Sequence, residues 1–367
     1  MHVLYLTSFY PVSERVHHGI FFRDHAEALA QKHHVSVLNI QVPSLKSGKT
    51  FKTEIRQLKK NNVNTVHAVH PVLSHRFKYF VEKAQFKALF RGLNVILQHR
   101  NIDVIIAQCS MPAGWWARQV KDKTGIPFGV IEHFSFLKED IQNHPKKVRE
   151  IYKESEFVGF VSEAIQSQVE NDVLDSVNTA ILPNVISQDF KFKEINERAG
   201  FKWLAVLYDE PKKGPDILTE SWKRYQENHP QDEITIVGSG KFAGLREMDR
   251  VHIIESAERD EMVKLMSQHH ALISTSRQET FGMAVAEMLA LGRPVVVTPS
   301  GGPEQFVTKK NGLITPSFES VQVVESMTKL RNMYSSYKGR QIREDILKKF
   351  GAEAYISRID SLLSHHV

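Results

Sequence analysis

Two carboxylates, Glu279 and Glu287, stand in the segment Ser276-Arg277-Gln278-Glu279-Thr280-Phe281-Gly282-Met283-Ala284-Val285-Ala286-Glu287. The first lies in a loop after a short apolar strand, Ala271 to Ser274. The second lies about one turn inside a helix that starts near Gly282. The first turn of such a helix offers N–H groups and the positive end of its dipole, which suits a phosphate. A carboxylate further along is wrongly placed for phosphate, but it can accept two hydrogen bonds from a ribose diol. A carboxylate in the preceding loop can accept from hydroxyls of a second sugar. The residue types therefore point to a sugar–diphosphate–ribose ligand laid across one helix end, against the plain alternative of two solvated carboxylates.

A second chemical signal is charge. The chain has 367 residues and a net charge of +6. Residues 1–100 hold 15 Lys+Arg and 5 Asp+Glu, residues 101–183 hold 8 and 12, and residues 184–367 hold 25 and 25. The excess lies in the first hundred residues, which suggests a negatively charged partner there. Between His75 and Arg100, six basic residues accompany one acid, Glu82, with Phe77, Tyr79, Phe80, Phe86, Phe90 and Leu93 among them. Phe86, Phe90 and Leu93 follow helical spacing, and Lys83 and Lys87 fall on another face. A basic amphipathic helix with aromatics can lie on an anionic membrane; the ordinary alternative is one core face and one solvated basic face. The one cysteine, Cys109, excludes an intramolecular disulfide framework and reads as a small core residue ending a strand. No apolar run reaches the length of a membrane span, and the N-terminus lacks the marks of a signal peptide.

These residues must be positioned by elements. Val3–Leu6, Val35–Ile40, Asp103–Ala107, Pro127–Ile131 and Val158–Val161 read as short buried strands, with helices at Phe21–Lys32 and Gly114–Lys123. The pattern restarts with strands at Leu204–Leu207, Ile234–Val237, His252–Ile254, Ala271–Ser274 and Pro294–Val297, and helices at Asp216–Asn228, Arg259–Gln268 and Met283–Leu291. Apolar strands alternating with amphipathic helices imply an α/β fold of parallel sheets covered on both faces. Two runs imply two doubly wound, Rossmann-like domains, expected at residues 1–183 and 184–345, with 346–367 folding back on the first. Ligands of such sheets bind at the carboxyl ends of the strands.

Glu279 and Glu287, with Phe-Gly after the first and Ala-Leu-Gly-Arg-Pro after the second, resemble the donor-site motif of retaining glycosyltransferases of family 4. The resemblance covers nearly the whole chain. His18-Gly19-Ile20-Phe21-Phe22-Arg23 is similar to the family's N-terminal glycine loop, and Glu132-His133-Phe134-Ser135 to its active-site histidine segment. Leu182-Pro183-Asn184-Val185, Lys213-Gly214, Ile236-Val237-Gly238-Ser239-Gly240 and Ser300-Gly301-Gly302-Pro303-Glu304 match in kind and order. The resemblance implies the GT-B architecture, two Rossmann-like domains facing across a cleft. It implies catalytic roles for His133, Glu279 and Lys213. It implies donor binding by Glu287, by the amides of Phe281, Gly282 and Met283, by Gly238 and at the position of Tyr208, and a phosphate or acceptor loop at Gly19. The chain departs from the family where an Arg is usual about five residues before the Lys: Tyr208 stands there. A phenol donates one hydrogen bond and brings no charge; Lys212 and Arg277 are the two candidates to supply it.

The implied reaction moves a hexosyl group from a UDP- or GDP-sugar to a hydroxyl of a glycan or lipid-linked acceptor, with retention of configuration. No residue stands out as the nucleophile that a retaining glycosidase would use. The family's front-face substitution, assisted by the leaving diphosphate, relies on positioning and charge stabilisation and needs no metal and no cofactor. A bacterial envelope polysaccharide or glycolipid role follows from the resemblance and the basic N-terminal face. With it come a cytoplasmic location peripheral to the membrane, anionic membrane contact through residues 75–100, and no nucleic-acid partner. The alternatives are a catalytically impaired GT-B partner or regulatory subunit, supported by Tyr208 alone, and more weakly a nucleic-acid-directed enzyme or an epimerase.

Overall fold

The structure is a computed structural model that describes residues 1–12, 19–45, 51–134, 137–170, 173–175, 177–195, 200–207, 210–240, 242 and 244–364. Tyr208, His18 and Ser135, singled out above, lie outside the described residues. The chain forms two compact units, Met1–Val185 with Tyr355–Val367, and Ile186–Ala354.

The first unit is built on an eight-stranded sheet. Its strands are β1 (His2–Thr7), β2 (His34–Gln41), β3 (Glu54–Lys60), β4 (Val63–Val69), β5 (Val104–Gln108), β6 (Phe128–Glu132), β7 (Val158–Phe160) and β8 (Thr179–Ile181). The order is β3-β4-β2-β1-β5-β6-β7-β8, and every pair is parallel except β3 with β4. The helices are α1 (Ile20–Leu29), α2 (Lys78–Leu97), α3 (Trp115–Thr124), α4 (Leu137–Asn143), α5 (Pro145–Glu154) and α6 (Glu163–Gln166). The central strands are buried along their whole length, as sheets with both faces covered require.

The β3–β4 hairpin is a finding that apolar patterning does not reveal. Six of the seven residues of β3 are exposed, so it offers no alternating signal. It exists because β4 presents buried Val63, Thr65, Val66 and Ala68 and because Asn61 and Asn62 both take positive φ (49° and 62°). Asn tolerates that region, and a two-residue turn of this hand matches the strand twist. Lysines on the outer strand discourage edge-to-edge pairing.

Helix α2 splits the set Phe86, Phe90 and Leu93 that helical spacing places together: Leu93 enters the core and the two phenylalanines do not. The buried residues are Ala84, Ala88, Leu89, Gly92, Leu93 and Ile96, which pack on β2 and β4. Phe86 and Phe90 are half-buried and stack on each other, with the Lys123 ammonium 3.9 Å from the Phe90 ring. Small residues let the helix approach the sheet closely, and the aromatics stay on its flank.

The second unit has a six-stranded, wholly parallel sheet: β9 (Lys202–Val206), β10 (Glu233–Val237), β11 (Val251–Ile254), β12 (Ala271–Ser274), β13 (Val295–Val297) and β14 (Gly312–Ile314), in the order β11-β10-β9-β12-β13-β14. Helices α7 (Pro215–Asn228), α8 (Arg259–Gln268), α9 (Met283–Ala290), α10 (Ser320–Asn332) and α11 (Gly339–Phe350) accompany it. Two apolar layers form, one around Phe281, Met288, Leu289 and Phe350, the other around Trp203, Trp222 and Tyr225. The last helix, α12 (Ala352–Leu363), returns to the first unit, where Tyr355 and Tyr5 share a hydrogen bond of 2.7 Å and Asp360 meets Lys32 and His33 at 2.6 and 2.7 Å. Among the described residues no helix is long and apolar enough to cross a membrane.

Candidate active site

The second sheet reverses direction between β9 and β12. The chain runs outward from β9 through β10 and β11, then returns to the other side of β9. The loops that leave β9 and β12 therefore diverge and open a crevice at the strands' carboxyl ends. After β9 comes a single 3₁₀ turn, Pro211–Lys213, and then α7. After β12 comes the loop that carries Glu279.

The two loops are tied together. The Arg277 backbone N–H donates to the Lys212 carbonyl (2.7 Å), and Thr275 Oγ1 donates to the Gly214 carbonyl (2.9 Å). This tie brings Lys213 Nζ to 2.7 Å from Glu279 Oε1, which also accepts from Ser276 Oγ at 2.7 Å. The Glu279 backbone N–H donates to the Ser300 carbonyl (2.9 Å), so the Ser300–Gly301 segment fixes the carboxylate from a third side. Both charged side chains keep partial exposure, 23% for Lys213 and 17% for Glu279. The result is a cation and an acceptor held together at the crevice mouth.

Helix α9 begins beside them. Its first amide groups have no intrahelical acceptor by construction. Gly282, with φ 89°, makes the entry turn; a Cβ there would fall 2.7 Å from Pro303 Cγ. The Phe281 ring points away from the entry turn into the core, with its centroid 5.2 Å from that of Phe306 and 5.1 Å from that of Phe350. Only its backbone is therefore available for binding. Met283 is half-buried against the same core. Glu287, on the next turn, is buried, with Arg259 Nη1 at 3.4 Å from its Oε1. Arg259 lies 3.5 Å from Asp189 and over the Phe190 ring at 4.9 Å. Sequence reasoning missed Arg259, because 28 residues separate it from Glu287 and no spacing rule links them. Gly238 follows β10, and its N–H donates to the Ile254 carbonyl at 2.8 Å, so that amide is spent on the sheet.

The two cations named as substitutes for an Arg at position 208 are both engaged elsewhere. Lys212 pairs with Glu210 at 3.0 Å, and the Arg277 guanidinium forks onto both carboxylate oxygens of Asp216 at 2.8 and 2.5 Å. Lys213 is the cation placed beside Glu279.

In the first unit, His133 leaves the end of β6 and is buried to 3% exposure. Its Nε2 lies 2.7 Å from Gln108 Oε1; an amide oxygen only accepts, so the imidazole carries its proton on Nε2. Phe21, Phe22 and His25 of α1 pack around the ring at centroid distances of 5.3, 4.8 and 5.4 Å. Burial holds His133 well below the usual histidine range, and the neighbouring His25 adds to the effect. Burial also lowers His25 to about 3, against a partial offset from Asn184. Both rings are neutral at physiological pH. Gly19 (φ 71°) caps α1 where a Cβ would fall 2.6 Å from the Phe9 carbonyl oxygen and 3.2 Å from Phe22, so the glycine loop and His133 meet through Phe22. Behind them, Glu132 is fully buried. Its Oε1 accepts from the Ser110 backbone N–H (3.0 Å) and from Tyr152 Oη (2.9 Å), and desolvation raises its carboxyl to about 7 against those bonds. Cys109 is buried and burial pushes its thiol up, which makes it a core residue rather than a nucleophile. Gln108 and His25 carried no signal as site residues, and Glu132 was noted only as part of the histidine segment; their roles are recognised through what they touch.

The chain matches two family models, "Glycosyltransferase Family 4" over residues 19–190 and "Glycosyl transferases group 1" over residues 201–332. It is 26% identical over 256 residues to an uncharacterized glycosyltransferase of Methanocaldococcus jannaschii, covering 66% of this chain and 68% of the relative. It is 30% identical over 123 residues to the D-inositol 3-phosphate glycosyltransferase of Jonesia denitrificans, covering 29% of each, so that match spans less than a third of the relative's own length. Among solved structures it is similar to a sucrose-phosphate synthase from Thermosynechococcus elongatus (TM-score 0.73, 15% identity, 100% of this chain and 99% of that one). It is also similar to HepE of Anabaena, solved in complex with UDP and glucose (TM-score 0.70, 16% identity, 99% of both chains). With both halves matched by family models and the whole chain matched in fold, this protein belongs to the family 4 glycosyltransferases and has their GT-B fold.

Proposed function

We propose that this glycosyltransferase moves a hexosyl group from a UDP- or GDP-sugar to a hydroxyl of a glycan or lipid-linked acceptor, with retention at the anomeric carbon, in the synthesis of a bacterial envelope polysaccharide or glycolipid. The observation that carries the reading is the convergence, at the switch point of the second sheet, of Lys213, Glu279, the start of α9 and Glu287. Glu287 accepts from the ribose hydroxyls. The amides of Phe281, Gly282 and Met283 and the Lys213 ammonium neutralise the diphosphate as it departs, which is the term that most lowers such a barrier. Glu279, steadied by Lys213 and Ser276, orients the donor sugar. Neutral His133, whose single ring proton goes to Gln108, accepts a hydrogen bond from the donor sugar without changing charge, and Gly19 lets backbone approach the phosphates or the acceptor. Charge neutralisation by these groups needs no metal and no cofactor. Relatives named as acting on inositol phosphates and phosphatidylinositols support a phosphorylated or lipid-borne acceptor. The basic, aromatic segment 75–100 supports peripheral contact with an anionic membrane at its cytoplasmic face.

The test is thermal unfolding with UDP-, GDP- and ADP-sugars on the wild type and on Glu287→Ala. Ligand at a hundred times its dissociation constant adds about 2.7 kcal/mol to stability. A midpoint raised by one nucleotide class and not in the variant supports the site and identifies the base; no shift with any of them at millimolar ligand overturns the reading.

A further inference from the structure

The segment that leaves β4 and enters α2 holds a feature that hexosyl transfer does not use. Of the eleven large apolar side chains exposed among the described residues, five gather here: Phe51, Leu73, Phe77, Tyr79 and Phe80. Leu73 is 73% exposed and Phe80 is 59% exposed. Scattered apolar side chains on a surface need no explanation, but a contiguous group marks a surface that something covers. Phe51, Leu73, Phe77 and Phe80 wall a groove of about 340 Å³, floored by buried Val72 and Ala84. That volume is at the small end of ligand sites and suits one narrow apolar chain.

The rim of the groove is cationic. Lys83 and Lys87, one turn apart on α2, line it. The same two lysines also line a neighbouring hollow of about 490 Å³ with Phe86, Phe90, Arg91 and Lys123, so they form the ridge between two aromatic depressions. Neither lysine makes an ion pair among the described residues, and the one acid between residues 75 and 100, Glu82, is taken by Lys147 at 3.3 Å. An apolar groove edged with unpaired lysines is a poor match for a protein partner, whose interface cores are depleted in lysine. It is a good match for a molecule with an apolar chain and a phosphate.

We propose that this groove binds a single anionic phospholipid of the membrane surface, with one acyl chain between Leu73, Phe77 and Phe80 and the phosphate on Lys83 and Lys87. The inference rests on the membrane-contact reading above and deepens it: the face carries a stoichiometric lipid site, not only a diffuse positive field. A discrete site would hold the first unit in one orientation on the membrane.

The experiment is calorimetric titration with dodecyl phosphate below its micellar concentration, beside dodecyl maltoside and inorganic phosphate. It uses the wild type, Leu73→Ser/Phe80→Ser and Lys83→Gln/Lys87→Gln, all changed at exposed positions. The expected result is saturable one-to-one binding of dodecyl phosphate, at least tenfold weaker binding of the maltoside, none of inorganic phosphate, and at least a tenfold loss in each variant. No saturable binding, equal binding of the neutral amphiphile, binding of phosphate alone, or unchanged affinity in either variant would overturn the proposal. Flotation with phosphatidylcholine vesicles, with and without phosphatidylglycerol, separates the two readings. If the lysine variant loses flotation and the apolar variant keeps it, surface contact stands and the groove fails; if the wild type floats with neither vesicle, both fail. The nucleotide-sugar shift should be unchanged in both variants, so failure here leaves the donor site untouched.

Discussion

At the residue scale, the Lys213–Glu279 pair is the most exposed to test. Its 2.7 Å contact holds two groups that otherwise would sample many rotamers at a partly open crevice. Lys213→Met should lower kcat/KM by about a hundredfold or more, because a donor aimed at developing charge is lost. The double variant with Glu279→Gln should cost less than the sum of the two singles, since both act through one contact; steady-state kinetics of the four proteins would show it. Glu132 supports a pH prediction. Its folded-state carboxyl is raised to about 7 from 4.5, so the wild type loses stability as pH rises through that window. Gln can accept the same two hydrogen bonds without titrating. Urea denaturation should therefore show Glu132→Gln gaining on the wild type by up to about 3 kcal/mol between pH 4.5 and pH 8. Neutral His25 and His133 act in the opposite sense, losing stability as pH falls below 6.5, and they cancel in that comparison.

At the scale of elements, the entry to α9 is the critical turn. Gly282 combines a positive φ with a Pro303 contact that a Cβ would violate. Gly282→Ala should destabilise the protein by about 1–3 kcal/mol and displace the amides at the helix start. Chemical denaturation gives the first effect. The second appears as a nucleotide-sugar shift reduced more than the stability loss explains; a variant as stable as the wild type with full nucleotide binding would remove this turn from the site. Helix α2 shows the same logic on another surface. Its small residues face the sheet, and this leaves its aromatics and lysines for the outside.

At the scale of the whole molecule, the chain's end belongs to its beginning. Helix α12 packs in the first unit, with Tyr355 buried against His25 and Tyr5, and with Asp360 joined to Lys32 and His33. Burial works against the Asp360 carboxylate, but the hydrogen bonds from Lys32 and His33 outweigh it and hold the group below its usual range. A carboxyl depressed in this way contributes stability above 3.8 and loses it as pH falls through the folded value. Asp360→Asn should therefore cost about 0.5–1 kcal/mol at neutral pH. Parallel acid-unfolding curves should converge below pH 3.8; a constant offset at all pH values would show that the pair is not the cause.

The sequence by itself determined the alternation of buried strands and helices, hence two parallel doubly wound sheets, because a strand covered on both faces must be apolar throughout. It also marked which loops are candidates for chemistry, since strand ends at a switch point are where such sheets bind ligands. Glu279 and Glu287 were singled out by their places before and inside one helix start, Lys213 and His133 by the resemblance to the family. Only the tertiary structure decided their partners. Arg259 beside Glu287, Gln108 beside His133 and Ser276 with Lys213 on one oxygen of Glu279 are contacts between distant or differently oriented segments, which no spacing rule encodes. The β3–β4 hairpin was illegible because an exposed edge strand buries little and so leaves no apolar period. The core face of α2 was left open by the sequence because alanine and glycine, which allow close approach to a sheet, carry a weaker hydrophobic signal than the phenylalanines left on the flank.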